Sequence, residues 1–306
     1  MTELNQQEIV ERINKLRKER NAVILVHNYQ LGEVQDIGDY VGDSLGLSIE
    51  ARDVECDVIV FCGVRFMAET AKILSPDKTV LLPVAEAGCP MADMVTADQL
   101  REFKKEHPGV IAVAYVNSTA ELKTEVDICC TSANAEKVVA SIPEDKEIIF
   151  LPDKNLGANV ARDLGRKLML WPGFCPTHMR ISKEMINQRK EEFPEAVVIV
   201  HPECTPEVVE MADASLSTGG MLKFAAETDA KQIIIGTELG IIHRLKKENP
   251  DKMFIPVSEQ AICPSMKLIE LHDVLNALEN METEIILTPE VIAKAKASIV
   301  KMIEIS

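Results

Sequence analysis

Gly88-Cys89-Pro90-Met91 returns later in the chain as Phe174-Cys175-Pro176-Thr177 and again as Ile262-Cys263-Pro264-Ser265. The cysteines are spaced 175 − 89 = 86 and 263 − 175 = 88 residues apart. With 8 Cys and 15 Pro in 306 residues, chance supplies about 8 × 15/306 ≈ 0.4 Cys-Pro pairs, so three in register mark an internal repeat. Each copy then contributes one thiol at the same structural place. Three thiols brought to one point are a ligand set for a metal cluster.

Working outward, each copy opens with a charged amphipathic helix that runs into a short apolar strand. The pattern predicts helices over 5–19, 97–106 and 183–192, and strands over 22–26, 110–114 and 196–200. In the first helix Leu4, Ile9, Val10, Ile13 and Leu16 are the apolar positions. Thr96 with Gln99 forms a capping box, and Ser182 is placed to cap the third helix. Short runs of apolar, β-branched residues on both parities suit the buried strands of parallel sheets.

Every one of these strands ends in a polar tripeptide: His27-Asn28-Tyr29, Tyr115-Val116-Asn117 and His201-Pro202-Glu203. Their first residues are 88 and 86 apart. Thr205-Pro206 is a strong start for the helix that follows the third. A second strand then leads to Thr131-Ser132 in copy two and Ser217-Thr218 in copy three, where 132 − 115 = 17 and 218 − 201 = 17. Copy one is expected to be irregular, with an excess between His27 and Cys62 that carries Gly42-Asp43-Ser44. Ser44 is expected to cap a helix over 45–52, and copy one to lack one β–α unit. Further strands are predicted over 80–82, 148–151, 168–170, 232–235 and 253–257. After Cys263 the pattern gives a helix over 267–278, an edge strand over 284–287 and a terminal helix capped by Thr288-Pro289.

The fold class is therefore α/β. Three pseudo-symmetric αβα domains with short parallel sheets are expected to surround a central cavity, over residues 1–93, 94–179 and 180–306, the last with the C-terminal helix. Alternating strands and helices imply right-handed βαβ units. Ligands in such sheets bind beyond the carboxyl ends of the strands, where the polar clusters and the three cysteines fall.

Composition limits the alternatives. Hydrophobic residues make up 46% and charged residues 27%, as in ordinary globular chains. No apolar run approaches the roughly 18 residues of a membrane span, and the N-terminus lacks a signal-peptide core, so a cytoplasmic location is expected. Reduced thiols in that compartment favour metal binding or catalysis over disulfides. The net charge of −16 and the absence of a basic stripe argue against a nucleic-acid partner.

The chemistry follows from the cysteine count. Structural zinc takes four ligands with CxxC-type local spacing, and none of the three cysteines has a CxxC partner. A [4Fe–4S] cluster normally uses four cysteines; with three, one iron keeps an open position and acts as a Lewis acid. Dehydration or condensation is expected ahead of electron transfer.

Taken together, His27-Asn-Tyr29, Gly42-Asp-Ser44, Gly88-Cys-Pro-Met-Ala92, Tyr115-Val-Asn117, Cys130-Thr-Ser132, Gly173-Phe-Cys-Pro-Thr-His178, His201-Pro-Glu-Cys204, Ser217-Thr-Gly219 and Cys263-Pro264 resemble the quinolinate synthase family over essentially the whole chain. The resemblance implies one [4Fe–4S] cluster on Cys89, Cys175 and Cys263. It implies condensation of iminoaspartate with dihydroxyacetone phosphate to quinolinate, phosphate and water in de novo NAD synthesis. A functional coupling to an aspartate oxidase or dehydrogenase is implied as well, with no membrane partner. Ser44, Ser132 and Thr218 are then expected to bind phosphate or carboxylates at helix starts, with His27, Tyr115, Val116, Asn117, His201 and Pro202 completing the substrate contacts. Glu203 and Tyr29 are the candidates for moving protons, with His27 and His201 beside them. His178, three residues after Cys175, is expected close to the cluster. Some members carry a CxxC redox switch around the third ligand; here Cys263 is followed by Pro264-Ser265-Met266, and that switch is absent.

The bland alternatives are specific. Cys56, Cys62, Cys129, Cys130 and Cys204 read as small core hydrophobes. His107, His243 and His272 read as exposed. Ser44, Ser132 and Thr218 could be simple N-caps, and Glu203 a cap of the helix after Thr205. Two competing functions are a three-Cys hydro-lyase acting on a di- or tricarboxylate, as aconitase does, and an iron–sulfur sensor. The phosphate-type donors argue against the first and the acidic charge against the second.

Overall fold

The computed structural model describes residues 5–305; Leu4, the first apolar position expected in the opening helix, lies outside them. Three four-stranded parallel sheets follow one plan. The first holds β1 (Ala22–His27), β2 (Tyr40–Gly42), β3 (Val58–Cys62) and β4 (Thr79–Leu81), interleaved with α1 (Gln6–Glu19), α2 (Gly32–Asp36), α3 (Ser44–Asp53) and α4 (Arg65–Leu74). The second holds β5 (Ile111–Tyr115), β6 (Ile128–Cys130), β7 (Ile148–Leu151) and β8 (Met169–Leu170), with α5 (Ala97–Glu106), α6 (Ala120–Lys123), α7 (Ala135–Ser141) and α8 (Lys154–Leu164). The third holds β9 (Val197–Val200), β10 (Ala214–Ser215), β11 (Gln232–Gly236) and β12 (Met253–Pro256), with α9 (Lys183–Glu192), α10 (Pro206–Val209), α11 (Thr218–Glu227) and α12 (Ile241–Glu248). Each sheet has the strand order second, first, third, fourth. A short 3₁₀ turn follows each copy, at Ala92–Met94, His178–Arg180 and Pro264–Lys267.

The first copy is therefore complete, and the irregularity expected of it is corrected. In β1 His27 pairs with Gly42, as Tyr115 of β5 pairs with Cys130 and Val200 of β9 with Ser215. The offsets are 42 − 27, 130 − 115 and 215 − 200, all 15. Gly42-Asp43-Ser44 is no insertion but the counterpart of Cys130-Thr131-Ser132, and 44 − 27 = 17 matches the other two copies. Strand β2, only three residues long and partly exposed, gave no apolar run to find.

Local chemistry explains most boundaries. Thr96 and Gln99 form their capping box on α5, and Ser182 accepts from Met185 N on α9. Asp43, not Ser44, caps α3, accepting from Gly46 N, and Ser217 caps α11. Ser44 and Thr218 thus stand one residue inside their helices, where their hydroxyls are not used as caps. Thr205 occupies the cap position of the short helix α10 but makes no side-chain cap bond. The core strands are buried on both faces; Ile24, Val113 and Ile234 are fully enclosed. Burying such a side chain contributes about 1.5–3 kcal/mol.

After Cys263 the chain leaves the third sheet. The helix begins only at Leu271, since the 3₁₀ turn occupies the preceding residues, and α13 (Leu271–Asn280) packs on α1 and β3. The edge strand expected over 284–287 reduces to one antiparallel bridge, Leu81 to Glu284. The last helix, α14 (Pro289–Glu304), is capped by Thr288 and packs on α4, α6 and β6, across the first and second copies. Among the described residues no helix is long and apolar enough to cross a membrane.

Candidate active site

The carboxyl ends of the three sheets face one cavity. It is lined by Cys89, Cys175 and Cys263, by His27, Tyr29, Tyr115, Asn117, His201 and Glu203 from the first strands, and by Ser44, Ser132 and Thr218 from the loops after the second strands. The middle residue of each strand-end tripeptide, Asn28, Val116 or Pro202, is absent from this lining. Val116 is buried, its N–H donating to Cys130 O, and Pro202 lines a neighbouring cavity with its carbonyl held by Asn159. Among the described residues no lysine or arginine lines the central cavity.

The three thiols are free of disulfides. Burial pushes all of them up, Cys89 to about 12. Working against burial, backbone N–H groups face each sulfur from the following turn: Ala92 for Cys89, His178 for Cys175 and Met266 for Cys263. The position is i+3 in every copy. Proline after cysteine starts that turn, in which Ala92 N and Met266 N also donate to the carbonyls of Cys89 and Cys263 at 2.9 and 3.1 Å. A buried thiol with such a high affinity for its proton becomes a thiolate only beside a cation, and a coordinated metal deprotonates it outright. Three thiols with amide donors in one cavity thus fit a metal cluster.

A chain of short hydrogen bonds crosses the floor. Tyr29 Oη lies 2.5 Å from Thr237 Oγ1, which lies 2.7 Å from His178 Nε2. His178 Nδ1 lies 2.7 Å from Glu203 Oε2 and 3.1 Å from Cys175 Sγ. Tyr115 Oη donates to Glu203 Oε1 at 2.5 Å. One ligand atom each of Cys175, His178 and Glu203 falls within 4.8 Å of the other two, so the chain borders Cys175. Burial alone would raise the Glu203 carboxyl. The imidazoles of His178 and His201 and the bonds from His178 and Tyr115 outweigh it and hold Glu203 ionised.

Burial lowers His27 and His201 to about 3, so both rings are neutral. His27 Nδ1 accepts from Tyr29 N at 3.2 Å, and His201 Nδ1 from Glu203 N at 3.3 Å. A neutral imidazole that accepts at Nδ1 carries its proton on Nε2, so each ring is a fixed neutral donor. Asn28 Nδ2 donates to Thr218 Oγ1 at 3.0 Å, and Asn117 Oδ1 is buried without a partner. The copies also approach closely: a Cβ at Gly240 would lie 2.6 Å from the Tyr29 carbonyl, so glycine is required where α12 begins.

Three buried groups went unnoticed in the sequence. Thr237 links Tyr29 to His178. Glu238 accepts from Cys263 N at 3.1 Å and from Lys267 Nζ at 2.9 Å. Asp153, raised to about 8 by burial and by the charge of Glu203, caps α8 with Oδ1 while Oδ2 has no partner. All three stand just past β7 and β11, where Ile111 pairs with Ile148 and Val197 with Ile233. Polar residues directly after apolar strands were the available signal, the same one that marked the tripeptides.

The family model described as quinolinate synthetase A protein matches residues 11–304. A quinolinate synthase of Dehalococcoides mccartyi (strain CBDB1) is 55% identical over 297 residues, covering 97% of this chain and 98% of that protein. One from Geobacter sp. (strain M21) is 54% identical over 302 residues, 99% of each chain. Quinolinate synthase 2 of Methanosarcina acetivorans is 53% identical over 298 residues, 97% of this chain and 96% of its own.

Proposed function

The chain belongs to the quinolinate synthase family, and from that premise we propose that it condenses iminoaspartate with dihydroxyacetone phosphate, releasing quinolinate, inorganic phosphate and water, as a step of NAD biosynthesis. Cys89, Cys175 and Cys263 hold a [4Fe–4S] cluster in this proposal. With three cysteine ligands such a cluster leaves one iron open and supplies Lewis acidity toward a hydroxyl or carboxylate. The observation that supports this most is the convergence of three amide-flanked thiols, one from each copy, on a cavity ringed by neutral donors.

The chain's own residues have separable tasks. Ser44 and Thr218 open α3 and α11 with their hydroxyls not used as caps, and the free N–H groups there favour the phosphate and carboxylates of the substrates. Ser132 occupies the same repeat position in the second copy. His27 and His201 donate from Nε2 without bringing a charge. Asn117 offers an amide that nothing in the protein satisfies. Glu203, ionised and tied through His178 and Thr237 to Tyr29, accepts a proton at one end of the hydrogen-bonded path while Tyr29 Oη delivers one at the other.

The test is an anaerobic assay with both substrates and parallel iron and sulfide analysis. Quinolinate and phosphate should form in equal amounts by protein carrying about four iron and four sulfide per chain. Cys89→Ala, Cys175→Ala and Cys263→Ala should each lose the cluster and turnover. A full cluster retained in any of them removes that ligand. Iron-replete protein that makes no quinolinate defeats the assignment.

A further inference from the structure

The three strand-end loops are gripped from behind in the same way. Gln35 Nε2 faces Asn28 O at 3.2 Å and Gln30 O at 2.9 Å, and shares its two protons with a third carbonyl, Gly240 O, at 2.8 Å. Lys123 Nζ donates to Val116 O at 2.9 Å and also to Ser118 O. Asn159 Nδ2 donates to Pro202 O at 2.9 Å and Cys204 O at 3.1 Å. The carbonyls occupy equivalent positions: Asn28, Val116 and Pro202 are 88 and 86 apart, and so are Gln30, Ser118 and Cys204. One residue lies between each pair of gripped carbonyls: Tyr29, Asn117 and Glu203, and all three line the cavity.

We propose that Gln35, Lys123 and Asn159 form a threefold carbonyl clamp that positions Tyr29, Asn117 and Glu203 for the reaction, without touching substrate themselves. The clamp rests on the function proposed above. Fixing the carbonyls on either side of a residue leaves its side chain little choice but the opposite face. The clamp is not simply a repeated sequence motif. Gln35 and Lys123 both follow the first tripeptide residue by 35 − 27 = 123 − 115 = 8, but the third copy has Val209 there and borrows Asn159 from α8 of the second. A different side chain from a different element restores the same two bonds, which points to demand for the bonds themselves. The cost of the second clamp agrees. Lys123 is fully buried, with its ammonium 5.6 Å from the Phe66 ring centre, and lysine is rarely enclosed in this way.

The test separates clamps by what they position. In cluster-loaded protein, Lys123→Met should raise a substrate KM about tenfold and leave kcat within about threefold, because Asn117 binds. Gln35→Leu and Asn159→Leu should lower kcat about tenfold or more, because Tyr29 and Glu203 move protons. The exchanges Gln35→Lys and Lys123→Gln keep donors for both carbonyls and should return most of the lost activity; they also serve if the apolar variants do not fold. Amide hydrogen exchange, which needs no turnover, should quicken at residues 28–30, 116–118 and 203–204 only in the variant of the matching clamp. One uniform kinetic pattern in all three variants, wild-type kinetics in them, or unchanged local exchange would overturn the clamp. Wild-type protein that makes no quinolinate would instead count against the proposed function, and the exchange data would still decide the clamp.

Discussion

The loops at His27 and Tyr115 occupy the same place in consecutive copies and are built differently. In the first, Gln30 N donates to His27 O at 3.0 Å and the ring Nδ1 accepts from Tyr29 N, so the loop ties itself. The loop at His201 repeats this with Cys204 N and Glu203 N. The second copy has no imidazole. Ser118 N donates to Val116 O at 2.7 Å in a tighter three-residue turn with Asn117 at its apex, and a buried ammonium closes it. Tyr115 reaches across instead to brace Glu203. A repeat can thus hold its backbone constant while side chains divide the work. Two loops carry a neutral donor and a candidate proton carrier, and one carries an unsatisfied amide and a support for its neighbour.

The largest effect should separate those loops most sharply. Glu203→Gln should lower kcat about a hundredfold to ten-thousandfold with iron content unchanged. Asn117→Ala should act mainly on KM, by about tenfold, the cost of one hydrogen bond to a charged ligand. Equal losses of kcat in both variants would mean that the loops do not divide the chemistry. Between these extremes, His27→Asn and His201→Asn should each lose roughly a hundredfold in kcat/KM, as removal of one oriented donor does. Steady-state kinetics over both substrates checks all four.

His27 also leaves a mark on stability that Tyr115 cannot. The folded ring, lowered to about 3 chiefly by burial, stays neutral where an unfolded histidine, at 6.5, takes up a proton. Below pH 6.5 the unfolded chain therefore binds more protons, and the native state loses stability as pH falls, by about 1.4 kcal/mol per pH unit until about pH 3. His27→Asn lacks that loss. Its stability relative to the wild type should improve by about that amount for each unit between about pH 6 and about pH 4, read from urea midpoints. A constant difference across that range would show that His27 is not buried as a neutral ring.

Much of this division was legible in the sequence. Cys89, Cys175 and Cys263 were found because Cys-Pro is rare enough for three in register to stand out, and the tripeptides because they interrupt apolar strands. Ser44 lines the cavity, but the cap expected of it belongs to Asp43 and the strand before it was missed. The strand before it, Tyr40–Gly42, is three residues long and partly exposed, so its periodicity is silent and only the pairing of His27 with Gly42 shows the copy to be complete. Thr237 and Asn159 were hidden for another reason. Their partners lie in other copies, at Tyr29 and His178 for one and Pro202 and Cys204 for the other, and no local pattern encodes a contact made across the cavity.

The smallest expected effect returns to the same loops one residue further on. Thr119 and Thr205 hold equivalent positions, 86 apart, each at the N-cap of a four-residue helix. Thr119 Oγ1 accepts from Leu122 N at 3.2 Å. Thr205 makes no such bond, and its buried hydroxyl has no partner. Removing a cap hydroxyl that is used costs about 1 kcal/mol, whereas removing a buried hydroxyl that is unsatisfied costs little or is favourable. Thr119→Ala should therefore lower stability by about 1 kcal/mol and Thr205→Val by close to zero, compared in urea unfolding of otherwise identical protein. Equal losses would show that the two loops, different in their clamps and ties, are held alike at the point where each enters its helix.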